Sequence, residues 1–245
     1  YALLFIMEGE GQHYIDFKSY QYQRGSLIFI SKEQVHAFEQ NRQREAFFLL
    51  FTRHFLEKSS LASNLMQQLS LYNYHLYPPV LQLSELDFPV FSDLVMRIHS
   101  EYHAPDDQFT EEIIQSSLKI LLSMAERIRK RKRKKEAPSR YQDEFLQFQR
   151  LLDQHILDSR MVHFYAQKMN ISTKKLNRIV QEIMHQPAKN YINEILIIEM
   201  KRLLMNTNFS IKEIAYKTGF EDPTNFTKYF KKWTHQTPAI FRKSY

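Results

Sequence analysis

The sequence has no cysteine and only 4 glycines among its 245 residues. Without cysteine, disulfides, thiolate nucleophiles and cysteine-based zinc sites are excluded. The scarcity of glycine argues against a phosphate-binding loop, and no P-loop or dinucleotide-binding fingerprint is found. The longest apolar runs, such as Leu3–Met7 and Ala46–Phe51, are too short to span a bilayer. No signal peptide is recognisable, so we expect a cytoplasmic protein with no membrane partner.

Charge is distributed unevenly along the chain. The formal net charge is +7, yet acidic residues outnumber basic ones before residue 129. The excess of basic residues lies in the C-terminal half and in an uninterrupted basic run, Arg129–Lys135. A basic half joined to an acidic half indicates that the basic half meets a polyanion.

The most informative stretch covers residues 210–233. Ser210 and Glu213 have capping-box spacing, which predicts the start of a helix. Gly219 can adopt the left-handed conformation that ends this helix, and Asp222 followed by Pro223 predicts the start of the next. The second helix buries Phe226, Tyr229 and Phe230 and leaves polar and basic side chains outside. This pattern predicts a helix-turn-helix, with an ordinary helical hairpin as the alternative.

The same pattern occurs a second time, at residues 162–182. Ala166 corresponds to Ala215 and Asn170 to Gly219, and Asn is the other residue that tolerates a left-handed turn. The apolar positions of the following helix repeat as well. A chance hairpin would not recur with this spacing. We therefore predict two helix-turn-helix units, at about 162–182 and 210–233, joined by one helix over 187–205.

The N-terminal half has a different pattern. Over residues 1–55, short β-branched and aromatic segments alternate with turn signals, which favours a small antiparallel barrel or sandwich. Helices are predicted over 55–68, 87–102 and 110–129, the last with Thr110 as its cap. The fold class is therefore α+β with two domains: a small antiparallel β-barrel with a helical segment, followed by an all-α domain.

Residues 141–245 resemble the DNA-binding domain of AraC/XylS-type transcription regulators. The segments that carry the resemblance are Met200–Leu204, Ile211–Ala215, Gly219–Asp222, Phe226–Lys232 and Thr237–Arg242. Two positions depart from the family pattern: Met200, where the family commonly has Ala, and His235, where Gly is usual. Both departures affect structural positions and leave the DNA-binding expectation intact.

The N-terminal half resembles the cupin sensor domain of the same family, through Gly9–Gly11, Tyr14–Asp16, Arg24–Ile30 and Val35–His36. The resemblance divides the chain into an effector-sensing barrel at 1–86, which we expect to be incomplete at its N-terminus, and a helical pair at 87–130. A basic linker at 131–140 and the DNA-binding domain at 141–245 follow.

The resemblance implies that His36, Phe38 and Phe48 point into a barrel that holds an unidentified small-molecule effector. The alternative is that these aromatic side chains only fill the barrel. Enzymatic cupins bind a metal through a motif with two His and a Glu, whereas only His13 lies near Gly11 here. We therefore expect no metal, no cofactor and no enzymatic activity. Two other hypotheses remain: a metal cupin enzyme fused to a DNA-binding domain, and a regulator whose barrel serves only dimerisation or partner binding.

The predicted helix at 110–129 has one long apolar stripe. In the resembled family a helix pair at this place makes an antiparallel coiled-coil dimer, which implies a homodimer through this stripe. The alternative is that the stripe packs only on its own barrel. The stripe residues are Ile114, Leu118, Leu121, Leu122 and Ala125.

The recognition helices are predicted at 172–182 and 223–233, and the resemblance places them in two successive major grooves of double-stranded DNA. Arg178 can make a bidentate contact to guanine, and Asn177 or Gln181 to adenine. Phosphate contacts are expected from Lys228 and Lys231 and from Thr173 and Thr224 near the helix N-termini. Lys174 and Asn225 complete the outer faces. We expect an effector-gated activator that also contacts RNA polymerase, as the family resemblance implies.

Overall fold

A computed structural model of the chain describes residues 1–32, 34–40, 43–58, 65, 69–133 and 140–244. The chain divides into two compact units, residues 1–136 and 137–245. The first unit contains antiparallel sheets with helices and the second is helical, so the predicted two-domain α+β class is confirmed.

The first unit contains two antiparallel sheets. The four-stranded sheet has the order β6 (Glu45–Leu50), β1 (Ala2–Glu8), β4 (Ser26–Ile30), β7 (Val80–Gln82). The three-stranded sheet has the order β3 (Lys18–Tyr22), β2 (Gly11–Ile15), β5 (His36–Phe38). In the described part of the chain the two sheets are separate, so the structure has the sandwich among the predicted alternatives of barrel and sandwich. The strands β3 and β7 were not predicted.

Strand β1 is buried on both faces. Leu4 and Ile6 face the second sheet, where they form a cluster with Ile15 and Tyr22. Leu3 and Phe5 face the opposite way, into a larger cluster formed with the helices. The alternation along β1 therefore builds two separate cores, one between the sheets and one beneath the helices.

The helices of the first unit are α1 (Arg53–Glu57), α2 (Phe88–His103) and α3 (Thr110–Arg133). Asp107 rather than Thr110 caps α3, because its Oδ1 accepts hydrogen bonds from the amides of Phe109 (2.8 Å) and Thr110 (3.0 Å). The predicted helix over 55–68 is confirmed only as far as Glu57, since most of its remainder lies outside the described residues.

The apolar stripe of α3 packs against its own sheet. Leu118, Leu121, Leu122 and Ala125 are all at most 3% exposed and belong to the core beneath the four-stranded sheet. Ile114 is half-buried against the same core. The prediction that these five side chains form the dimer contact is therefore wrong for the four buried ones. Amphipathic periodicity identified a buried face correctly but not the surface that covers it.

The basic run begins as part of this unit rather than as a linker. Arg129 is buried, and its guanidinium donates hydrogen bonds to the carbonyl oxygens of Leu71 (3.1 Å) and Pro78 (3.2 Å). Helix α3 continues through Arg133, so the first three residues of the predicted linker at 131–140 are helical. Residues 134–139 lie outside the described part of the chain.

The second unit contains the helices of both predicted helix-turn-helix units. They are α4 (Gln142–His155), α5 (Val162–Lys168), α6 (Thr173–Met184), α7 (Ala188–Asn206), α8 (Ile211–Lys217), α9 (Pro223–Thr234) and α10 (Pro238–Lys243). Helix α7 contacts α5, α6, α8 and α10. The linking helix that was predicted over 187–205 is thus confirmed as the central support of this unit.

Candidate functional site

The two turns are built by the same backbone geometry. Asn170 and Gly219 are both left-handed, with φ of 53° and 77°. The amide after each turn donates to the carbonyl of the matching alanine, Ile171 to Ala166 (3.0 Å) and Phe220 to Ala215 (2.9 Å). The predicted repeat is confirmed in both its turn residue and its alanine, because each position has a specific conformational task.

Helix α6 presents one polar face outwards. Ser172 caps it by accepting a hydrogen bond from the amide of Lys175 (3.1 Å), and Leu176 and Val180 are fully buried. Lys174, Arg178 and Gln181 are exposed at spacings of four and three residues. These three predicted contact residues therefore share one accessible face.

Asn177, a predicted adenine contact, makes two hydrogen bonds within the protein. Its Nδ2 donates to the carbonyl of Thr173 (3.0 Å), and its Oδ1 accepts from the amide of Ala188 (3.1 Å) at the start of α7. Ala188 is fully buried. The amide group thus holds α6 to α7, and we reassign Asn177 from adenine reading to positioning. Gln181 stays as the predicted adenine contact.

Helix α9 is the corresponding helix of the second helix-turn-helix unit. Phe226 and Phe230 are buried, whereas the predicted contact residues Thr224, Asn225, Lys228 and Lys231 are exposed. The carboxylate of Asp222 accepts a hydrogen bond from the amide of Thr224 (2.8 Å). A negative charge at this position disfavours a phosphate at Thr224. Thr173 follows a neutral cap, so its predicted phosphate contact meets no such repulsion.

The exposed cations of the two faces are available for a polyanion. Ion pairs of Lys or Arg within residues 137–245 include Arg140–Glu182, Lys175–Glu144 and Arg202–Glu199. Lys174, Arg178, Lys228 and Lys231 take part in none of these pairs. Each outer face therefore combines two cations with amide or hydroxyl side chains, the composition that phosphate binding and base reading require.

The predicted effector residues lie together at an open edge of the first unit. The His36 and Phe48 rings are stacked at 6.2 Å, and His13 lies 5.4 Å from His36 and 4.2 Å from Phe38. Phe48 is 53% exposed. His36 is also exposed and Phe38 half-buried, so the three do not line a closed cavity. The exposed His36 and Phe48 rings do not fill the core, whereas Phe38 packs against the core between the sheets, as the alternative hypothesis expects.

His13 is a residue that the sequence did not identify as a ligand contact. It is fully buried, and neither ring nitrogen has a hydrogen-bond partner. Burial, with repulsion from His36 and Arg44, lowers the pKa of His13 from 6.5 to about 4. A neutral imidazole with a free donor and a free acceptor therefore faces the space between the sheets. The alternation of Gly11, His13 and Ile15 along β2 was the signal that could have identified it.

A second opening, of about 650 Å³, lies between β3 and β7. The Tyr22 hydroxyl borders it, is buried and has no hydrogen-bond partner. Most of the other lining groups are polar, including Gln12, Gln21, Gln23, Gln82, Glu10 and Glu39. The first unit thus has two places, at His13 and at Tyr22, where buried polar atoms have no hydrogen-bond partner. This is a typical property of ligand sites.

In the described ranges, no three His, Asp or Glu side chains are grouped to hold a metal ion. Among the described helices, none has the length and apolar character needed to cross a membrane.

Comparisons with known proteins agree with the division of the chain into two units. A family model for an AraC-like ligand-binding domain matches residues 1–118, and one for a helix-turn-helix domain matches residues 165–244. The Msm operon regulatory protein of Streptococcus mutans is 25% identical over 244 residues, which cover 99% of this chain and 84% of that protein.

A second match covers a smaller share of the chain. The transcriptional activator RhaS of Salmonella schwarzengrund is 25% identical over 92 residues, covering 38% of this chain and 33% of RhaS. In fold, the chain is similar to the crystal structure of ToxT from Vibrio cholerae, with a TM-score of 0.50 and 16% identity over 98% of this chain and 88% of ToxT.

Proposed function

The chain belongs to the AraC/XylS family of DNA-binding transcription regulators, and we propose that it is an activator whose DNA binding is controlled by a small molecule in its N-terminal unit. The observation that carries this proposal is the pair of equivalent exposed faces on α6 and α9. Each is held by a capped, tightly turned helix pair, and each presents cations that the described ion pairs leave available. The name of the relative RhaS supports the sign of regulation, since RhaS is called an activator.

We propose that α6 and α9 enter two successive major grooves on one side of the duplex. Arg178 would read guanine through its planar fork of donors, and Gln181 would read adenine. Lys174, Lys228 and Lys231 would neutralise phosphates, and Thr173 and Asn225 would add neutral contacts. Loss of Arg178 should cost about 1–3 kcal/mol of binding free energy and relax specificity at one base pair.

The effector would bind between the sheets, where His13 is buried without a partner and His36, Phe38 and Phe48 border the open edge. A ligand that satisfies the His13 nitrogens removes the penalty of an unpaired buried polar group, and this favours ligands with both a donor and an acceptor. Gating then requires that the ligand changes DNA affinity through a coupling free energy between the two sites.

We further propose a homodimer, with a contact different from the buried stripe of α3. The outward side of α3 exposes Ile113 and Ile120, which are 37% and 51% exposed, and the exposed Phe109 directly precedes the helix. Apolar side chains repeated along one exposed helix face are suited to a second helix. RNA polymerase is the expected partner of an activator bound at a promoter.

Selection from a random-sequence duplex library tests the DNA-binding proposal. Wild-type protein should enrich a two-part motif of about two helical turns, and Arg178→Ala should lose preference at one position only. Arg150→Ala, which removes an exposed arginine from α4, is the matched control and should enrich the wild-type motif. Sequence-blind enrichment that disappears at modest salt would show that the basic faces act only as an electrostatic tether.

Thermal denaturation with a metabolite library tests the effector proposal. A compound that binds the folded unit raises its melting temperature, and His13→Phe should abolish that rise. The same compound should then change the affinity of the whole protein for its motif. If binding compounds leave DNA affinity unchanged, the N-terminal unit serves dimerisation or partner binding and does not gate the protein.

A further inference from the structure

The segment between α4 and α5, residues 156–161, touches the second helix-turn-helix unit directly. The guanidinium carbon of Arg160 lies 4.5 Å from the centre of the Phe220 ring and 5.6 Å from that of Tyr229. Phe220 closes the turn of that unit, and Tyr229 lies on its recognition helix α9. The carbonyl oxygen of Leu157 lies 3.4 Å from the place where a side chain on Gly219 would begin.

The same segment is fixed to the first helix-turn-helix unit. The hydroxyl of Tyr165, on α5, donates to the carbonyl oxygen of Ser159 (2.6 Å), and the carbonyl oxygen of His155 lies 3.2 Å from it. Tyr165 is fully buried, and burial raises the pKa of its hydroxyl, which therefore stays protonated as a donor. Arg160 directly follows Ser159, whose carbonyl accepts this bond. The first helix-turn-helix unit therefore sets the backbone position of Arg160.

Two of the described connections therefore join the two helix-turn-helix units. One is helix α7, which contacts helices of both units. If α7 were the sole connection, rotation of one helix-turn-helix unit about the α7 axis would meet little resistance. A second contact away from that axis resists the rotation. Arginine suits this second contact, because its planar cation can stack on aromatic faces in a way that a lysine ammonium cannot.

We propose that Arg160 is a positioning residue that fixes the distance and angle between recognition helices α6 and α9. The protein would then discriminate between DNA sites by the spacing of their two parts as well as by their bases. This inference rests on the proposed two-groove binding. One base pair rotates a subsite by about 35° around the duplex, since a turn takes 10–10.5 base pairs, so a rigid pair of helices fits one spacing only.

A spacing series tests this role. Duplexes carry the selected motif with the distance between its two parts changed by −2, −1, 0, +1 or +2 base pairs. We expect wild-type affinity to fall at least about tenfold for a change of one base pair, whereas Arg160→Ala should reduce that discrimination to about threefold or less. Arg160→Lys should behave like the alanine variant, because it keeps the charge but not the planar stacking. Arg150→Ala should keep the wild-type profile.

Two results would overturn the proposal. One is an Arg160→Ala profile as steep as that of the wild type. The other is an equal loss on every duplex, including single subsites, together with a salt dependence reduced by about one counterion, because Arg160 would then be a phosphate contact. Trp233 fluorescence establishes that each variant is folded, since this is the single tryptophan of the chain and lies on α9.

A measurement without DNA separates this inference from the proposed function. The chain has no cysteine, so spin labels attached at Gln181→Cys and Lys231→Cys report only the distance between α6 and α9. The distance distribution should be narrow with Arg160 present and clearly broader in Arg160→Ala. An unchanged distribution refutes the positioning role. Sequence-blind DNA binding with a broadened distribution would refute the proposed function alone.

Discussion

Asn177 and its counterpart in the second unit allow a sharp test of how the repeat is stabilised. The side chain of Asn177 accepts a hydrogen bond from the amide of Ala188, the first residue of α7. At an offset of 50 residues, Asn177 corresponds to Thr227 and Ala188 to Pro238, the first residue of α10. Proline has no amide hydrogen, so the second helix-turn-helix unit has no donor to satisfy at this place.

Asn177→Ala should lower the unfolding free energy of the helical domain, residues 137–245, by about 1–3 kcal/mol, because it leaves the buried Ala188 amide without a partner. Thr227→Ala should change the stability by less than about 0.5 kcal/mol, since no such amide exists there. Asn177→Asp should retain much of the stability, because a carboxylate still accepts the bond and carries a charge suited to a helix N-terminus.

Urea unfolding followed by Trp233 fluorescence measures the unfolding free energy of residues 137–245, the domain that contains both substituted positions. Equal effects of Asn177→Ala and Thr227→Ala would contradict the proposed role of the Ala188 amide. A wild-type unfolding curve for Asn177→Ala, combined with lost preference for one adenine, would return Asn177 to the base-reading set.

Three further predictions follow from the described contacts. His235 ends α9 with φ of 62°, so His235→Gly should stabilise the second unit by about 0.5–1 kcal/mol in urea unfolding; a decrease would contradict strain at this cap. Leu121 is fully buried in its own core, so Leu121→Ala should lower the stability of the first unit by about 2–5 kcal/mol, and sedimentation of the folded variant should give the wild-type association state. The pKa of His13 is lowered to about 4, so the unfolded chain binds this proton below about pH 6.5 and the folded chain does not. The unfolding free energy of the first unit should therefore fall between about pH 6.5 and 4, and a denaturation series in which His13→Phe keeps the same fall would assign it to other groups.

The elements that the sequence predicted best are those in which a single residue type meets a local requirement. Ser210 and Glu213 form the full capping box, with Ser210 Oγ accepting from the Glu213 amide and the Glu213 carboxylate accepting from the Ser210 amide. Gly219 and Asn170 take the left-handed conformation for which each was singled out. Such requirements are satisfied within a few residues, so a sequence displays them directly.

The features that were missed depend on partners distant in the chain. Strand β7 has three residues and pairs with β4, more than 50 residues earlier, through Leu27↔Leu81. Arg129 looks like the first residue of a solvated basic run, yet its guanidinium is bound by carbonyl groups of residues 71 and 78. The polar position of Asn177 on α6 was visible in the sequence, but its bond to the amide of Ala188 was not.

The outer faces of the two repeats have one further consequence. The scaffolds of the repeats are alike, but α6 presents Lys174, Arg178 and Gln181 where α9 presents Thr224, Lys228 and Lys231. A dimer of identical single readers is two-fold symmetric and reads a palindrome equally in both directions. Two unlike readers in one polypeptide have no such symmetry. Under the proposed two-groove binding, a single copy of this chain would therefore distinguish upstream from downstream along the duplex, and its binding site would have a direction.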